Sequence, residues 1–414
     1  MKTSRIWIYL WRKHYPEGSL GRVQMDFELT EELKMVQSAV GDFVTQQLKP
    51  LERDILGRAA DLSDATMYLP LEKEQELMGM ARDMRLWGVG IPEELGGVDL
   101  GTLGSCLVAE ELGQTVVPFT FGDVTPILFE CNPEQKEKYF LPVFNRQKYA
   151  YLALMEPGKE GFENMEMRAE RTNGRYYLNG KKVSLSRAGE DYFAVVFGVT
   201  GPDKGPRGGV TCFLVDKDAP GFTVSGGGEK TGWEARVREP VSLTFDNCPV
   251  PAENILGEDG KAFYLGRKWL PARRIVRSAK TVGAAQRILD EATIEAQTWT
   301  SFGQVISKRP SIQAALADIA TNIHAARLMV YEVAWKADQR QPIQREAAMV
   351  KLFVAQMIHY VADNAAHIFS APAYVGGLPM ERFCRNAIAM SSTNFALQLQ
   401  RNIIARDILK GLKI

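Results

Sequence analysis

A chain of 414 residues with 45% hydrophobic side chains is long enough for two or three domains with a sizeable core. Its 50 lysines and arginines balance its 50 aspartates and glutamates, which excludes a global field steering it to nucleic acid or an anionic membrane. Five cysteines, Cys106, Cys131, Cys212, Cys248 and Cys384, lack C-x-x-C spacing, and four histidines, His14, His324, His359 and His367, lack metal-ligand spacing, so no disulfide framework and no metal site is expected.

Residues 1–24 are basic and aromatic and unlike the rest of the chain, so they are expected to form an extension outside the fold. Two readings stand: an organellar transit peptide, or an upstream start in a chain that begins at Met25. The second implies a cytoplasmic protein and the first an organelle matrix, and no apolar run reaches the roughly 20 residues needed to span a bilayer.

Residues 25–150 read as a helical domain. Leu33, Val36, Val40, Phe43, Val44 and Leu48 recur at helical spacing, with Thr30 as N-cap and Pro50 as a stop. Residues 151–261 change to short runs rich in Val, Phe, Tyr and Leu: Tyr151 to Leu154, Arg175 to Leu178 before the turn pair Asn179-Gly180, Phe193 to Phe197, Thr211 to Val215, and Val241 to Phe245. These predict antiparallel strands closing into a small barrel or sandwich, ended by Pro249, Pro251 and Gly257, with Gly226-Gly227-Gly228 a loop. Residues 262–414 predict a helical bundle. One helix runs from Ala272 to Gln297, one starts at Pro310, a third carries Met349, Phe353, Met357, Tyr360 and Val361, and two shorter helices close the chain. Stripes this regular predict an oligomer interface.

Local motifs sharpen the α+β reading. They include Pro92-Glu93-Glu94-Leu95-Gly96-Gly97, Glu110-Glu111-Leu112-Gly113, Glu134-Gln135-Lys136, Glu156-Pro157-Gly158 and Asn179-Gly180-Lys181-Lys182. Further along stand Asn254-Ile255-Leu256-Gly257, Ser301-Phe302-Gly303, Pro379-Met380-Glu381-Arg382 and Gln398-Leu399-Gln400-Arg401. In this order the chain resembles the acyl-CoA dehydrogenase family from Met25 to its end. That resemblance implies a helical domain, a central antiparallel β domain and a C-terminal four-helix-type bundle, with FAD as cofactor and an acyl-CoA thioester as substrate. It also implies an electron-transferring flavoprotein as redox partner.

Residue by residue, the resemblance thins at the chemistry. The glutamate that takes the substrate α-proton falls at Asn394, and an amide is no general base at ordinary pH. The alternate base position, one residue before a retained arginine, holds Arg273, and Arg274 follows. Both arginines have a plain reading as solvated or phosphate-facing residues of a helix start; a sharper one has Arg273 receive an anionic acyl group or stabilise an enolate. The resemblance places Arg274 and Asn394 at the substrate.

The flavin strand motif reads Met155-Glu156-Pro157-Gly158-Lys159-Glu160-Gly161-Phe162, which keeps the turn and loses hydroxyls. The stacking tryptophan falls at Ser184, its hydroxyl companion is kept as Ser186, and Phe302 is kept in the Phe-Gly pair. The pyrophosphate arginine is Trp299, and an indole cannot pair bidentately with phosphate. Pro310 replaces the glutamine, and the glycine turn lent by a neighbouring subunit is Ser370-Ala371-Pro372-Ala373. The expected cofactor sites are therefore Leu154, Met155, Gly161, Ser184, Ser186 and Phe302, with FAD bound weakly, shared with a homologous acyl-CoA dehydrogenase subunit, or absent. An oxidoreductase subunit of a heteromer is favoured over a homo-oligomeric dehydrogenase or an acyl-CoA-binding scaffold without flavin.

Overall fold

Two helical regions enclose a seven-stranded sheet in the computed structural model, which describes residues 28–60, 69–159, 161–186, 191–226, 239–265, 270–392 and 397–411. Residues 1–24 lie outside these.

Helix α1 (Glu31–Phe43) starts where the sequence predicts, with the Thr30 hydroxyl accepting from Leu33 N at 3.3 Å. Pro50 does not stop it. A π turn over Val44–Leu48 and a 3-10 turn over Lys49–Leu51 shift the ladder around the missing N–H, and α2 (Glu52–Ala60) continues. Helices α3 (Leu71–Asp83) and α4 (Gly101–Gly113) come next. α4 is buried along nearly its whole length because the first helices cover one side and the bundle the other.

The sheet holds β1 (Tyr149–Ala153), β2 (Arg168–Thr172), β3 (Arg175–Ser186), β4 (Tyr192–Val199), β5 (Val210–Asp216), β6 (Phe222–Gly226) and β7 (Glu239–Pro251). Pairing is mainly antiparallel, but β1 runs parallel to β4. Strand β4 is buried on both faces, with Phe193, Val195 and Phe197 against the N-terminal helices and Ala194 and Val196 against the inner side of the sheet.

Asn179-Gly180 is not a hairpin turn. It is a bulge inside the long strand β3, where the register against β7 shifts and the Asn179 side chain accepts from Asn247 N at 2.8 Å. The hairpin turn is Asn173-Gly174, both at positive φ between the paired residues Thr172 and Arg175, a pair absent from the sequence-based expectations. Pro249 and Pro251 lie within β7 rather than after it, and β6 ends at Gly226, in the run read as a loop.

The bundle consists of α5 (Leu270–Thr298), α6 (Pro310–Asp338), α7 (Gln344–Phe369), α8 (Pro379–Ser392) and α9 (Leu397–Gly411). A two-stranded hairpin, β8 (Thr300–Ser301) and β9 (Gln304–Val305), joins α5 to α6. The buried face of α7 runs through Ala347, Val350, Val354, Ile358, Val361 and Ala365, so the expected stripe is off-centre and Tyr360 is exposed.

Backbone contact sets the crossing of α4 and α5. A Cβ on Gly283 would stand 1.8 Å from the Glu110 carbonyl oxygen, and one on Gly113 2.1 Å from that of Lys280. Next to this contact the Glu110 carboxylate accepts from Arg327 Nε at 2.7 Å and the Tyr331 hydroxyl at 2.9 Å, tying α4 to α6. Gly283→Ala is expected to destabilise by about 1–3 kcal/mol, because the backbones must part to admit the methyl. Urea unfolding measures this, and an unchanged midpoint would contradict backbone contact.

Candidate functional site

The turn after β1 is held from beneath by a buried ion pair. Glu156 accepts from Lys182 Nζ at 2.9 Å and from the backbone N–H of Glu166 and Met167 at 2.9 Å each. Lys182, fully buried, also donates to Leu154 O at 3.2 Å. Burial alone would raise the Glu156 pKa; the two backbone donors and Lys182 together hold it below the usual carboxylate value. Met155 is bridged to β3 through Val183 N, at 2.9 Å from Met155 O.

This arrangement sets Leu154 and Met155, just after β1, beside β3, where Met155 pairs with Val183, the residue before Ser184. Ser184 is buried in β3 opposite Val241, and Ser186 ends the strand opposite Glu239. Gly158 and Gly161 both take positive φ, and the space where a Cβ would stand is open at each, so the turn shape is kept. What it presents differs: the Met155 thioether is at best a weak acceptor where a hydroxyl would donate.

Phe302 is in a different part of the protein, the β8–β9 hairpin. It is 97% exposed at positive φ, and the Arg309 guanidinium lies 5.7 Å from its ring centre. Trp299, four residues after Glu295 and bonded to it through the last helical turn, is 58% exposed. At Ser370 the backbone keeps a positive φ of 58°, the conformation that suits glycine, before the 3-10 turn Ala371–Ala373. Trp299 offers one neutral N–H where a guanidinium would offer a charged two-pronged donor, and Pro372 has no backbone N–H, so these two positions do not fit a pyrophosphate on their own.

Arg273 does not stand open to a ligand. It makes a two-pronged ion pair with Asp123, its Nη2 donating to Oδ2 at 2.9 Å and its Nη1 to Oδ1. Burial would raise the Asp123 pKa, but Arg273, then Arg146 and Arg277, hold it below the ordinary value. Arg274 is half-buried, its Nε has no hydrogen-bond partner among the described residues, and burial lowers its pKa. Asn394 lies outside the described residues.

Sequence reasoning missed three groups here: the Glu156–Lys182 pair, Asp123, and Lys351. Lys351 is a lone cation in the apolar stretch Ala347–Val354 of α7, which is the signal that marks it. It is buried and donates to Met390 O at 3.0 Å. Burial, then Arg277 and Arg274, push its pKa down to about 8.

Comparison with known proteins covers almost the whole chain. Residues 30–147 match the description "Acyl-CoA dehydrogenase, N-terminal domain", 152–248 the middle domain and 262–409 the C-terminal domain. A probable acyl-CoA dehydrogenase of Bacillus subtilis, YngJ, is 30% identical over 395 residues, covering 93% of this chain and 100% of that one. The (R)-benzylsuccinyl-CoA dehydrogenase of Thauera aromatica is 29% identical over 402 residues, 93% of this chain and 97% of its own. Among solved structures, butyryl-CoA dehydrogenase from Megasphaera elsdenii aligns with a TM-score of 0.80 at 27% identity, over 93% of this chain and 100% of its own.

Proposed function

Because the chain belongs to the acyl-CoA dehydrogenase family, we propose that it is the partner subunit of a heteromeric oxidoreductase that carries out α,β-oxidation of an acyl-CoA thioester. A homologous subunit supplies the catalytic carboxylate and most flavin contacts. This chain supplies bundle surface and part of an interfacial site, and electrons leave to an electron-transferring flavoprotein.

The observation that carries the reading is Trp299. A large indole, 58% exposed in the single chain, stands where the resemblance calls for a guanidinium, so the position favours apolar cover over phosphate. Phe302, Tyr374 and Val375, also exposed, extend the apolar surface of the bundle. A change of one residue would leave a flavin site repairable. The Met155 side chain and Pro372 lack a donor and Trp299 lacks the charged fork of an arginine, so three separate segments depart from the family's flavin contacts, and no step through a flavin is assigned to this chain alone.

Asn394→Glu tests the distinction. The substitution restores a carboxylate at the family's base position, and in the isolated chain it is expected to give no oxidation of acyl-CoA with an artificial electron acceptor. Activity appearing with this single change would mean that only the base was missing and that the chain is a complete dehydrogenase.

A further inference from the structure

Several ionised groups inside the protein are matched: Glu110 by Arg327, Glu156 by Lys182, Asp123 by Arg273. Glu111, in the last turn of α4, is not. Its described partners are two neutral amides, with Gln37 Nε2 donating to Oε1 at 3.2 Å and Gln114 Nε2 to Oε2 at 2.7 Å. No described lysine or arginine forms an ion pair with it. Burial and the neighbouring Glu110 charge raise its pKa, against the Gln37 bond, Lys49 and Arg327.

This carboxylate lines a hollow of about 340 Å³ between α1 and the end of α4. Gly41 opens it. The backbone does not call for glycine here, because Gly41 lies inside the continuous run of α1 and the π turn after it and its φ is not positive. The nearest atom outside the helix to a Cβ built on Gly41 is Glu111 Oε2, at 3.5 Å, which is ordinary contact. Glycine weakens a helix interior, so the position gives up helix stability and leaves empty the direction that leads to Glu111. Asp42 adds a second carboxylate to the lining, and the end of α4 adds the negative pole of a helix dipole. Lys34, the one described cation lining the hollow, is paired with Glu31 at 2.8 Å.

We propose that the hollow is a binding site for an organic cation, an alkylguanidinium or alkylammonium group whose head pairs with Glu111 and whose stem lies over Gly41. A charged N–H donor makes the ion pair that Glu111 lacks, with hydrogen bonds stronger than those the two amides supply. Each amide spends its nitrogen on Glu111, which leaves the carbonyl oxygens of Gln37 and Gln114 as further acceptors for the same head. A metal ion is the poorer occupant, since no group of three or more acidic, histidine or cysteine ligands is found among the described residues. The absent side chain at Gly41 gives the room that an aliphatic stem needs. An arginine or lysine side chain of a partner protein offers this chemistry, and so does a small free cation.

The test is calorimetric titration of the full chain with n-propylguanidinium and with n-propylurea, its neutral isostere, at low ionic strength. The cation is expected to bind saturably and at least about tenfold more tightly than the urea. Glu111→Gln keeps the size and removes the charge, so it should erase that ratio by weakening the cation alone. Gly41→Arg supplies the cation from the chain itself, and should abolish binding of the probe while raising the thermal midpoint. The source of the natural cation follows from assembly with the homologous subunit. If Gly41→Arg weakens the complex, a side chain of the partner fills the hollow; if assembly is unchanged, the occupant is a free cation. No saturable binding of n-propylguanidinium, equal binding of the two probes, or cation binding that survives both substitutions overturns the proposal.

Discussion

Lys182→Met is expected to cost about 3 to 5 kcal/mol of stability, the range for removing one partner of a buried ion pair. Lys182 is fully buried and Glu156 is 8% exposed, so the carboxylate left behind has neither water nor a cation. Two backbone donors remain, those of Glu166 and Met167, and they satisfy hydrogen bonds without balancing the charge. Adding Glu156→Gln to Lys182→Met should recover most of the loss, because the amide oxygen still accepts from these N–H groups while the unpaired charge is gone. Urea unfolding of the two variants measures both effects. A loss below about 1 kcal/mol in the single variant would mean that water reaches Glu156.

The second large effect concerns activity in an assembly. Coexpression with a homologue that retains the base-position glutamate and the glycine turn is expected to produce acyl-CoA oxidation that the isolated chain lacks. Replacing the homologue's glutamate by glutamine should then lower kcat by about 10² to 10⁴, the usual contribution of a positioned general base. Steady-state assays with an artificial acceptor read both numbers. If the glutamine variant of the homologue left the rate unchanged, the proton would be leaving to some other group, and the division of labour between the subunits would be wrong.

Much of the architecture was legible because helix and strand periodicities are local. Thr30 caps α1 and Pro310 opens α6 as expected, and the strand runs fall where Val, Phe and Tyr concentrate. The misses share one cause, which is that a local signal was overruled by its neighbours. Asn179-Gly180 carries a turn signature, yet β7 runs alongside it on both sides and turns it into a bulge. Pro50 ends an ordinary helical ladder, yet a widened turn lets the helix pass.

At the candidate site the sequence supplied residue types but not partners. Arg273 reads as a free cation next to Arg274; only the fold brings Asp123, 150 residues away in the chain, against it. Lys351 reads as one lysine in an apolar helix; only the fold brings the Met390 carbonyl of α8 against it. Such pairings depend on how elements distant in the chain cross, as α4 and α5 do at the close contact of Gly113 and Gly283.

The central claim is that this chain does not hold a flavin by itself and completes its site with a homologous partner. The absorbance spectrum after gel filtration tests it, recorded for the chain purified alone and for the chain purified with that partner. Little or no flavin band is expected in the first sample and a stoichiometric band in the second. A stoichiometric flavin band in the isolated chain would contradict the account.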